Sequence, residues 1–188
     1  RDGRANLEWL YATYELDGNW TLQLGRKRLP LLSMSDVQDV GVAYPWVRLP
    51  PQIYGWDIVN YNGANARWRG KLGVMAVSAN VFAGGETVKD SAFQALYYSD
   101  GTKNDTRWTR MRGLELELGW SDIKLRGAML NARNSNRITL PTEPQGDWGP
   151  VVPLRISTLA ISAEPGPWIT RAEYLYGNRR QEYGTDKG

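Results

Sequence analysis

From Trp20 to Gly25 the chain reads WTLQLG, with a large apolar residue at every second position and Thr21, Gln23 and Gly25 between them. A period of two sends successive side chains to opposite sides of a pleat, so this stretch is a strand with one greasy and one polar face. The turn signal Asp17-Gly18-Asn19 precedes it and makes it the second arm of a hairpin. Strand-like segments recur at roughly 5–16, 20–29, 57–69, 72–82, 110–120, 123–132, 154–163 and 168–177. A chain of such strands must cover its greasy faces with a second sheet or with lipid.

The spacing between segments favours lipid. Tight turns fall at Asp17-Gly18-Asn19, Gly70-Lys71, Ser121-Asp122 and Pro165-Gly166, and they alternate with long stretches at 30–56, 83–109 and 133–153. Long structureless loops are uncommon in compact domains unless functional. Short turns at one end and long loops at the other are what outer-membrane barrels have. A tryptophan stands beside each tight turn: Trp20, Trp68, Trp120 and Trp168. An aromatic girdle at a membrane boundary accounts for that repetition. The 9 Trp and 10 Tyr against 2 Phe point the same way, because Trp and Tyr favour sites wet at one end. No apolar run approaches the ~20 residues of a membrane helix. A barrel remains compatible with the negative mean hydropathy.

Turn positions predict register. A turn at Gly70-Lys71 pairs Trp68 with Gly73, Ala66 with Met75 and Ala64 with Val77. A turn at Ser121-Asp122 sets Trp120 opposite Ile123, Leu116 opposite Gly127 and Glu117 opposite Arg126. The apolar residues then share one face. The other is expected to be a wet, charged wall carrying Arg67, Arg69, Arg112, Lys124, Arg126 and Arg171 against Glu115, Glu117 and Glu173. Six cations against three acids predict a mild anion preference in a narrow passage.

The composition also excludes chemistry. With 0 His and 0 Cys the chain lacks the usual general base, a thiolate and the common zinc ligands, so no enzyme activity, metal or cofactor is expected. Glu115 and Glu117 read more economically as part of a salt-bridged wall than as a glycosidase pair. A net charge of +3 with dispersed basic residues predicts no nucleic-acid partner. Segment 30–56 is unlike a solvated loop, mixing Leu31, Leu32, Val37 and Val42 with Asp36 and Asp39 and with the rigid Pro45, Pro50 and Pro51. Its prolines let it hold a defined shape, packed on neighbouring loops or on a partner subunit.

Residues 22–55, LQLGRKRLPLLSMSDVQDVGVAYPWVRLPPQIYG, resemble the strand and following loop of porin-type outer-membrane proteins of proteobacteria. The elements that match are Gly25-Arg26 with Arg28 and Pro30, then Val40-Gly41, then Ala43-Tyr44-Pro45-Trp46 with Arg48 and Pro50-Pro51. The resemblance implies a weakly selective channel in a Gram-negative outer membrane, a barrel of about 16 strands and a trimer. It also implies that the long loop folds inward as a constriction, with Asp36, Asp39, Tyr44, Trp46 and Arg48 as candidate residues. The expectation is therefore an all-β, transmembrane, antiparallel up-and-down barrel, with residues 1–188 one domain that is an internal part of a larger barrel, incomplete at both ends. Its expected partners are the lipid bilayer, lipopolysaccharide, further copies of itself and small solutes or ions. A barrel that does not conduct and serves as an anchor through its long loops is the alternative, and a secreted sandwich is the other.

Overall fold

The computed structural model describes residues 7–37, 49–91, 101–142 and 145–179. Eight strands run in order: β1 (Leu10–Glu15), β2 (Trp20–Arg28), β3 (Asn60–Leu72), β4 (Met75–Val88), β5 (Lys103–Trp120), β6 (Ile123–Thr139), β7 (Val152–Ala163) and β8 (Thr170–Arg179). Each pairs antiparallel with the next, making one open up-and-down sheet. The β2–β3 connection holds one 3-10 turn, Ser35–Val37, and the short helix α1, Pro51–Tyr54. Neither is long or apolar enough to cross a membrane.

The second hairpin departs from the expected register. Its turn is Gly73-Val74, so Trp68 opposes Ala79, not Gly73, and Ala66 opposes Val81, not Met75. Gly73 adopts φ +61°, the left-handed conformation that such turns require and glycine takes without strain. Gly70 stays within β3, where the Trp68 ring lies over it. The slip is even, six residues from Gly73 to Ala79, and so every side chain keeps its face. The Ser121-Asp122 hairpin has the expected pairing, with Ser121 at φ +48°.

β4, β5 and β6 run well past the predicted ends into stretches expected to be loops. A bulge explains why this was hidden in β5. Thr109 and Arg110 together oppose only Gly85 of β4, and Arg110 and Met111 oppose only Ala132 of β6, so one extra residue in β5 shifts both registers. It reverses the alternation of β5 and erases that strand's period-two signal beyond it, while β4 and β6 keep theirs.

The sheet has two unlike faces. The described parts of the β2–β3 connection lie across one, burying Leu29, Leu31, Leu32, Tyr54 and Ile58 against Tyr61, Phe82, Trp108, Met111, Leu130 and Ile156. On this covered face Gly25, Gly63 and Gly84 stand opposite one another across β2, β3 and β4. A Cβ at Gly63 would overlap the Ala83 carbonyl oxygen and stand 2.7 Å from Gly84 Cα, so the row lets three strands close in and the sheet bend.

No described residue covers the other face. Between Trp120 and Arg112 of β5 it presents Leu118, Leu116 and Leu114, and pairing extends these into rows. Leu118 faces Leu125, Ile161 and Ala172 in turn; Leu116 faces Gly127, Leu159 and Tyr174; Leu114 faces Met129, Ser157 and Tyr176. The block contains no charge. The rows are also staggered: traced strand by strand, Trp20 at the start of β2 meets Tyr174, four residues beyond the first residue of β8, Thr170.

Candidate functional site

The covered face divides into an apolar half under the connection and a charged half nearer the tight turns. There the connection and the wall from β3 to β8 enclose a cavity of about 610 Å³. Glu115 is its centre of charge. It is buried, and a buried carboxylate is tolerated only when paired and hydrogen-bonded. Arg126 donates to Oε1 from Nε and Nη2 at 3.0 and 2.9 Å, and Arg67 reaches Oε2 at 3.3 Å. Asn80 donates to the same Oε2 at 3.0 Å and accepts from Asn65 at 3.0 Å, and Asn65 accepts from Lys27 at 2.8 Å. The chain of contacts crosses five strands, β2 to β6, because the period of two places all these residues on one face.

A second cluster ties the connection down. Arg126 donates to the Pro30 carbonyl at 3.2 Å and the Thr158 hydroxyl to the Leu31 carbonyl at 2.7 Å. On β8, Glu173 accepts from the Ser33 backbone N–H at 2.8 Å and from the Tyr54 hydroxyl at 2.5 Å. Burial, and then the Glu173 carboxylate beside it, hold the Tyr54 phenol above its ordinary range, so it stays a neutral donor. The connection thus reaches from β2 to β8 across the whole covered face.

Of the predicted wall, Arg67, Lys124, Arg126, Arg171, Glu115, Glu117 and Glu173 line this cavity. Arg69 is on the same face, is exposed nearer the tight turn, and does not line it. Arg112 is on the other face. It shares the alternation of Leu114 and Leu116, two and four residues on, so it cannot join Glu115. Asp36 lines the cavity, whereas Asp39, Tyr44, Trp46 and Arg48 lie outside the described residues. The girdle candidates Trp20, Trp68 and Trp120 are on the bare face, Trp20 directly opposite Trp68, and Trp168 is exposed beside the last turn.

Four cations line the cavity, Arg67, Lys124, Arg126 and Arg171. Against them stand six acids: Asp36, Glu115, Glu117, Asp122, Glu164 and Glu173. The cationic excess expected of the wall is absent, because Arg69 and Arg112 leave it and the connection and turn residues add acids. Arg67 Nε, Arg126 Nη1 and Arg171 Nη1 are buried N–H groups with no acceptor among the described residues.

Sequence reasoning missed Lys27, Ser33 and Tyr54 and gave Asn65 and Asn80 no role. The two asparagines had a signal, since they share the alternation of Arg67. Ser33 and Tyr54 had none, because they meet Glu173 across 140 and 119 residues of chain.

Comparison of the chain with family models, curated proteins and solved structures gives no match. The class defined by the geometry is an all-β, up-and-down antiparallel sheet with a charged cavity on one face and an uncharged apolar band on the other.

Proposed function

We propose that this chain is part of a porin-type transmembrane β-barrel of a Gram-negative outer membrane and that it serves as a passive channel for small hydrophilic solutes. The observation that carries the reading is the bare apolar block. A strand crosses the hydrocarbon core of a bilayer in ~9–11 tilted residues. Arg112 to Trp120 is nine residues inclusive, with only apolar side chains on that face between its ends. Water-facing sheets alternate with polar residues instead. The stagger of the rows supports the reading, since closing a barrel requires tilted strands and a regular register shift. The resemblance of residues 22–55 to porins agrees, with the connection across the covered face as the constriction. Lipid and further copies of the chain, as a trimer, are the partners this reading carries with it.

The cavity's chemistry suits passage rather than reaction. Glu115 is matched to two arginines and an amide, Glu164 to Arg171 and Glu173 to Ser33 and Tyr54, and the unspent arginine donors can replace part of a solute's hydration. The balance of lining charge favours weak cation selectivity over the anion preference expected from sequence. Conductance in planar bilayers tests the function. Discrete current steps are expected, and a protein that inserts without conducting would leave the anchor, which the tight seat of Leu29, Leu31 and Leu32 favours.

A further inference from the structure

The apolar block ends in a polar row. Arg112 on β5 stands opposite Asn131 on β6, Asn131 opposite Arg155 on β7, and Arg155 opposite Asn178 on β8, all on the bare face. Arg133 follows one step further along that face of β6, and the bulge between Thr109 and Arg112 adds Arg110. Arg110 sits at φ +52°, a conformation strained for a side chain with a Cβ and one that clusters at functional positions. All six residues are exposed and line one open groove of about 550 Å³.

The groove is lined by four arginines and, among the described residues, by no acid. At the same edge of the sheet, β2 to β4 treat their cation differently: Arg26 is ion-paired with Glu86, which also accepts from Asn62 at 2.8 Å. Among the described residues the one side-chain bond in the groove is Arg155 Nε to Asn131 Oδ1 at 3.0 Å, which orients a guanidinium and neutralises nothing. Among the described residues these four guanidinium groups at the end of an apolar face have no counter-charge, and guanidinium forks match phosphate oxygens bidentately.

We infer that Arg110, Arg112, Arg133 and Arg155 form a binding site for the phosphate of a phosphorylated lipid headgroup. The lipid's acyl chains lie against the row beneath, Leu114, Met129 and Tyr176. The inference rests on the membrane reading, because only a lipid-facing sheet brings a headgroup to this row.

The test uses the full chain refolded into vesicles of phosphatidylcholine alone or of phosphatidylcholine with phosphatidic acid. Flotation on a density gradient reports insertion. Native mass spectrometry after detergent extraction then counts the phosphatidic acid retained. The wild type is expected to float with both and to keep phosphatidic acid even against inorganic phosphate, while R110A/R112A/R133A/R155A floats but keeps at least ~10-fold less. If that variant does not refold, Arg112→Ala and Arg155→Ala singly should each lower retention, and Arg69→Ala on the other face should not. Equal retention by wild type and variants, or none by a wild type that floats, would overturn the headgroup site and leave the membrane reading standing. Lipid stripped by equimolar inorganic phosphate would make this a free-phosphate site and overturn the lipid assignment. A wild type that floats with neither vesicle would overturn both.

Discussion

Leu116→Arg separates a lipid-facing sheet from a water-facing one. Leu116 occupies the middle row of the apolar block, four residues from Arg112 and four from Trp120, about 13 Å along the strand from either edge. Its cross-strand partners are Ala79 and Gly127, small residues that leave it 41 % exposed and give an arginine no counter-charge. In water a change at so open a position alters stability by no more than about 0.5 kcal/mol. At a bilayer midplane the same change costs ~2–4 kcal/mol, falling to ~0–1 near the interface. Thr170→Arg is the matched edge control, since Thr170 ends the row that begins at Trp120. Glu117→Gln, one residue along on the covered face, should also change little, because Glu117 is half-buried and cavity-lining. Denaturant titration in lipid vesicles, read by tryptophan fluorescence, should therefore rank Leu116→Arg far above both controls. A Leu116→Arg cost within about 0.5 kcal/mol of zero, or one equal to that of Thr170→Arg, would refute the depth assignment.

Gly63→Ala should cost ~3 kcal/mol or more by the same titration, since its Cβ meets backbone rather than a movable side chain, whereas Gly18→Ala, with nothing within 4 Å, should be nearly neutral. Removing the Glu173 carboxylate with Glu173→Ala leaves the Ser33 and Tyr54 donors unmatched, a local loss of ~1–3 kcal/mol; the expected signs are faster protease cleavage within 30–56 and higher single-channel conductance, and unchanged values of both would show that this anchor does not hold the connection. Under a KCl gradient the wild type should show a reversal potential of weak cation preference that grows as salt is lowered, and Arg67→Ala should strengthen it while Arg69→Ala does not; equal shifts from the two would put the constriction elsewhere than the Glu115 network.

Much of the fold is legible in the chain because a strand's side chains alternate with a period of two. That rule alone assigns Leu114, Leu116 and Leu118 to one face and Glu115 and Glu117 to the other, and it survives the six-residue slip in the second hairpin because the slip is even. The same spacing puts Arg112 with the leucines and away from the charged wall. Three things were decided only in the folded molecule. The turn at Gly73-Val74 was set by which glycine could adopt a left-handed backbone while Gly70 packed beneath Trp68. The extended reach of β5 was hidden by a bulge that reverses its alternation. The seat of the connection, and with it the cavity, depends on Pro30, Ser33 and Tyr54 meeting Arg126 and Glu173 far along the chain. Local periodicity reports the direction of a side chain relative to its own strand, whereas the partner it meets there depends on how the sheet bends and what crosses it, which are properties of the whole chain.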